Sequence, residues 1–161
     1  MDPLALLLKL SHVVLAMTLV AGLIGRWVLL RQAAASDVVE DAARLADLAG
    51  PFERLVVISS MLVLPAGLLT AWAQGYAWLG LTTLWMAFSL AIYLVATLLV
   101  PTVFLPRGRV FEAALTDARA RGVLTEELRS AFADPAVRAA RTFEVAGIAL
   151  IVALMVLKPT L

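Results

Sequence analysis

Four apolar runs, at residues 4–30, 55–73, 79–105 and 140–158, constrain this chain more than any other feature. Each is long enough to cross a hydrocarbon core of about 30 Å as a helix. Lipid offers the backbone no hydrogen-bond partner, so a spanning segment must satisfy its own N–H and C=O groups. These runs lack the period-two alternation of a barrel strand, which leaves the α-helix. With 63% hydrophobic residues, the chain far exceeds the near-half apolar content of a soluble domain. The expected fold is all-α: an up-down four-helix transmembrane bundle with cytoplasmic helical connections, one integral membrane domain over residues 1–161.

The first run is read as a retained span and not as a cleaved leader. No basic residue precedes its apolar core, and Arg26 and Arg31 follow it. Ser36-Asp37 is expected to cap a short amphipathic helix over 38–49, lying on the membrane or extending from the bundle. Gly50-Pro51 is expected to end it. Pro65 within the second run suggests a kink near residues 61–65. Pro101 and Pro106 mark the expected end of the third run. The stretch 107–133 is polar and helical in pattern, broken at Gly122. Asp134-Pro135 then supplies an N-cap and a first-turn proline for the last helix.

The charges suggest an orientation. Eleven of the 13 basic residues flank or fill two connections, 31–54 and 107–141, while Lys9 and Lys158 belong to the opposite side. By the positive-inside rule the long connections face the cytoplasm of a bacterial inner membrane, and both termini face outward. Trp72, Tyr76 and Trp78, with Lys158, are expected to anchor the outer interface. The basic stretch 107–141 alternates with acidic residues. That reads as a solvated face near anionic lipid, not as a nucleic-acid site.

The chain has no cysteine and one histidine. Disulfides, thiolate metal sites, cysteine nucleophiles and multi-histidine metal sites within one chain are therefore excluded. His12 lies about 12 Å into the first span, at 1.5 Å per residue. Intramembrane ionisable groups are functional candidates by default. A neutral imidazole can ligate haem iron through one nitrogen while the other holds a hydrogen bond. Met86 is expected at similar depth, so a His12–Met86 axial pair is a geometric possibility. The plainer reading has His12 bonding Ser89 or Tyr93 to orient two helices. Lys9 shares a broad face with His12 and, with Lys158, forms either an anion-binding mouth or two snorkelling anchors. Gly22 and Gly25 provide a close-packing surface. Arg26 lies about 40° round the helix from His12, and pairs with Glu144 across the bundle or reaches a propionate. Thr82, Ser89, Tyr93 and Thr97 share one face of the third span, either bonding across helices or lining a path.

Several stretches resemble a bacterial family of predicted integral membrane proteins of unknown function. They are LLLKLSHVVLAMTLVAGLIGRWVLLR, RLVVISSMLVLPAGLLTAW, GVLTEELRSAFADPAVRAAR and the ending ALMVLKP. More distantly, His12 followed by Ala21-Gly22-Leu23 is similar to the first span of J-type protoporphyrinogen oxidases. Copper-resistance D-type membrane proteins also place a histidine in a comparable helix. The oxidase resemblance implies a haem-bearing bundle, although the third span here carries no lysine or histidine. The leading expectation is a membrane binding or assembly component, with a lipid bilayer and a homodimer or membrane partner, and not a stand-alone enzyme. The alternatives are a haem b or porphyrin protein using His12, with Met86, Lys9 and Arg26 around it, and a small transporter.

Overall fold

A computed structural model describes residues 2–159. Among these residues are six α-helices: α1 Pro3–Ala34, α2 Val39–Ala73, α3 Leu84–Leu99, α4 Leu105–Arg121, α5 Glu126–Phe132 and α6 Pro135–Leu157. Among the described residues, four helical stretches are long and apolar enough to cross a membrane: α1, α2, α3 continued into α4, and α5 with α6.

The spans alternate in direction. Along α1 and α2, His12 meets Val63, Gly22 meets Val56 and Gly25 meets Phe52, so the two helices are antiparallel. Along α3 and α6, Lys158 sits over Trp85 and Gly147 meets Ile92, again antiparallel. The two pairs are joined by Arg26 to Glu144 and by the Tyr93 hydroxyl, which donates to the Ser60 carbonyl. The first turn of α1 and the end of α6 thus share one face of the bundle, called here the terminal face.

At the opposite face, α2 and α4 extend past the spans and fold with α5 into a knob. Val39, Ala43, Ala114, Leu115, Ala118 and Leu128 are its buried core, with Phe111 and Phe132 packed edge-to-face at its margin. Thr125 caps α5 by accepting from the Leu128 N–H, and Gly122 ends α4 in the left-handed conformation that favours glycine. Arg119 ties α4 to α2 through the Ala43 carbonyl and Asp47.

Three expectations are corrected. Gly50-Pro51 does not end a helix, because α2 runs unbroken from Val39 to Ala73. Glycine weakens a helix interior by only about 1 kcal/mol, and Pro51 denies a partner to the carbonyl of Asp47, an exposed residue. Meanwhile Val39 and Ala43 are pinned in the knob, and Phe52 and Val56 on α1. The helix cap expected at Ser36-Asp37 also differs. The Ser36 hydroxyl donates to the Val38 carbonyl and accepts from the Val38 N–H, while the N-cap residue Val38 makes no side-chain cap bond. The third span begins at Leu84, after a 3-10 turn at Ala77–Gly80, and does not stop at its prolines. A π-helical turn at Val100–Phe104, with the Leu105 N–H bonding the Val100 carbonyl, takes up Pro101 and carries the helix into α4.

Candidate functional site

The α1–α2 seam is built on glycine. A Cβ at Gly25 would stand 2.3 Å from the Phe52 ring, and one at Gly22 would stand 2.9 Å from Val56 and 3.2 Å from the Phe52 carbonyl. Helices in lipid gain little from burying apolar surface and associate through close packing and polar contacts. The Gly22 and Gly25 surface is thus occupied within the chain and is not free to pair two chains.

The same seam holds His12. Its Nδ1 lies 3.0 Å from the Val63 carbonyl oxygen. A carbonyl only accepts, so Nδ1 carries a proton and donates, and in the neutral ring this leaves the lone pair on Nε2. The ring lies against Gly67, where a Cβ would stand 2.9 Å from the imidazole Cε1. The partner of His12 is therefore a backbone carbonyl of α2, and not the expected Ser89 or Tyr93 of α3. Ser89 donates to Trp85 on its own helix, and Thr97 to Tyr93 on the same helix. Of the polar residues expected on that face, only Tyr93 bonds across to another helix, at Ser60.

Met86 stands elsewhere. Its sulfur folds over Gly80, whose φ of 83° and missing side chain make room for it. His12 and Met86 thus have separate partners. Lys9 is exposed on α1. Lys158 follows α6 in the left-handed conformation, with its Nζ 5.9 Å from the centre of the Trp85 ring. Trp85 is buried and meets Tyr76 edge-on at 6.2 Å. Tyr76 therefore packs inward, whereas Trp72 and Trp78 are exposed, as interfacial anchors would be.

A second constellation lies at the knob end of the spans. Arg26 Nη2 bonds Glu144 Oε2 at 2.8 Å, and both residues are only 7% exposed. The Arg26 guanidinium also sits 5.3 Å from the centre of the Phe104 ring, at the end of the π turn. Arg141, one turn before Glu144, has a buried Nε without a hydrogen-bond partner. Arg26, Glu144 and Glu53 all act electrostatically on it. Sequence reasoning paired Arg26 with Glu144 but missed Arg141 and Phe104. The three-residue step from Arg141 to Glu144 was the available signal. Among the described residues no group of three or more histidine, cysteine or carboxylate residues is placed to hold a metal ion.

Among the described residues, four helices long and apolar enough to cross a membrane and an all-α fold define a polytopic integral membrane protein. The chain belongs to the family described as Predicted integral membrane protein (DUF2269), whose sequence model matches residues 6–159. No curated protein and no solved structure matches it.

Proposed function

We propose that this protein is a binding or assembly component of the bacterial inner membrane and does not act as a stand-alone enzyme. Its termini and the Ala77–Gly80 turn face outward, and the knob faces the cytoplasm. The orientation is supported by the eleven basic residues near the knob face, against Lys9 and Lys158 at the other. The observation that carries the reading is the knob itself. It has its own core and is continuous with two spans, so a partner docked there is coupled to the membrane helices without a flexible linker.

The absence of native cysteine makes the test clean. Val110 and Val123 are exposed on and beside α4. Single cysteines at these positions, treated with a bifunctional thiol reagent in native membranes, should give one discrete adduct. A membrane-impermeant maleimide should reach them only after the cells are opened. Monomer alone from both positions, or labelling in intact cells, would count against the reading.

A second reading is favoured by one observation, the 3.0 Å contact of His12 Nδ1 with the Val63 carbonyl oxygen. A ring that donates from Nδ1 to a backbone carbonyl and keeps Nε2 free is the usual state of a ligating histidine. The residues fit one axial ligand for a haem b or related porphyrin. Met86, folded over Gly80, does not supply the second as it stands. Bound haem would supply one-electron chemistry, with His12 as its ligand and Val63 and Gly67 orienting the ring. Protein purified after ample haem supply should then show a Soret band, with sharpened α and β bands on reduction. His12→Ala should abolish them, and a colourless wild type would sink this reading.

A further inference from the structure

Two guanidinium groups lie at the knob end of the spans, Arg26 on α1 bonded to Glu144 and Arg141 one turn before Glu144 on α6, and among the described residues only Arg26 is paired. Arg26 bonds Glu144 through Nη2 and stacks on Phe104. Arg141 is half-buried, its Nε is sealed from solvent, and among the described residues it makes no hydrogen bond or ion pair. Glu53, the other carboxylate acting on Arg141, is exposed on α2 and forms no ion pair with it. A guanidinium cannot shed its proton to escape such a site, so its donors call for an acceptor. The arrangement leaves unused N–H groups on Arg141, and on Arg26 beyond Nη2, at the same end of the bundle, either side of Glu144.

The depth of this place indicates what the acceptor is. Arg141 is sixteen residues before Leu157, the end of α6, which is about 24 Å of helix. A hydrocarbon core is about 30 Å thick, so Arg141 approaches the headgroup boundary at the knob face. Trp27, next to Arg26, is exposed there with Arg31 stacked on its ring at 5.4 Å, the pattern of an interfacial aromatic. Arg141 keeps partial exposure, so an anion has access to the guanidinium.

We propose that Arg141, assisted by the free donors of Arg26, binds a phosphate-type oxyanion, supplied by the headgroup of an anionic phospholipid. Its planar fork suits two phosphate oxygens at once. Glu144 stays on Arg26 and keeps the second guanidinium in position. The binding is non-covalent and selective for charge, so zwitterionic lipid, whose phosphate carries its own cation, competes poorly.

The test is native mass spectrometry of the full chain in neutral detergent, titrated with phosphatidylglycerol or with phosphatidylcholine. Wild type should bind phosphatidylglycerol about tenfold more tightly, equivalent to about 1.4 kcal/mol. Arg141→Gln should erase that preference, while Arg138→Gln, an exposed arginine on the same helix, should keep it. Arg141→Lys preserves the charge and loses the fork, so it should bind severalfold more weakly. This variant decides the matter should the glutamine variant fail to fold. Displacement of the lipid by millimolar inorganic phosphate would support the site with a soluble oxyanion as its source. Lack of displacement would support the lipid headgroup. Phosphatidylglycerol preference unchanged in Arg141→Gln or Arg141→Lys, or no preference in wild type, would overturn the proposal.

Discussion

The knob and the spans are held together by different forces. The knob core is water-excluded in the ordinary way: Leu128 and Ala118 are 0% exposed, and capped helix ends and surface ion pairs surround them. The spans have their own cluster, Leu19, Leu23, Val56 and Val63, but it is one seam between α1 and α2. The third span buries 6% of its apolar window against 28% for α2. In water the hydrophobic effect drives closure of a core. In lipid that drive is absent, and close packing with polar contacts replaces it. The same chain thus uses leucine and alanine in the knob, and glycine, an imidazole and a buried ion pair in the membrane.

This contrast predicts where substitutions act. The largest effect is expected at the ion pair. Breaking a buried pair leaves an uncompensated charge and costs about 3–5 kcal/mol. Glu144→Ala strands Arg26 beside Arg141, and should lower the melting temperature of the detergent-solubilised protein more than any other single change discussed here. Leu128→Ala should follow, at about 2–5 kcal/mol for a large-to-small change in a core. Its loss should be confined to the knob. Hydrogen exchange should rise in α4 and α5 while the α1–α2 seam stays protected, and equal loosening of both regions would erase the distinction drawn above.

Gly67→Ala should cost less, about 1–3 kcal/mol for overpacking. Its added methyl would displace the His12 ring, so the imidazole NMR signals of His12 should move while the knob signals do not. The smallest effect is expected at Asp134, the N-cap of α6. Slight burial raises its pKa, but the Val137 N–H, Arg107 and the Ala136 N–H outweigh this and hold it below the ordinary 3.8. A depressed carboxylate adds stability above its unfolded pKa and loses it as pH falls through the folded value. Stability should therefore be flat near neutrality and fall below about pH 4. In Asp134→Asn, which still caps a helix, that acid-side loss should shrink.

Much of the membrane part was legible in the sequence. Hydropathy gave the number of long apolar helices, four, Asp134-Pro135 marked the start of α6, Gly122 the end of α4, and Arg26 and Glu144 read as partners. What was missed shares a physical origin. Local rules end a helix at Gly50-Pro51, yet contacts on both sides of this pair, Val39 and Ala43 before it and Phe52 and Val56 after it, keep α2 continuous. His12 bonds a backbone carbonyl, and every residue carries one, so no side-chain pattern could single out Val63. Arg141 looked like one more interfacial arginine, because a missing partner leaves no trace in a sequence.

The most direct test of the account is a double-substitution cycle on the ion pair, read as unfolding free energy in bicelles. Arg26→Met and Glu144→Met should each destabilise by about 3–5 kcal/mol. The double variant, which removes both charges and keeps apolar volume, should recover most of that loss. Single variants as stable as wild type, or losses that simply add in the double variant, would show that the two helix pairs are not joined by this pair and would contradict the account.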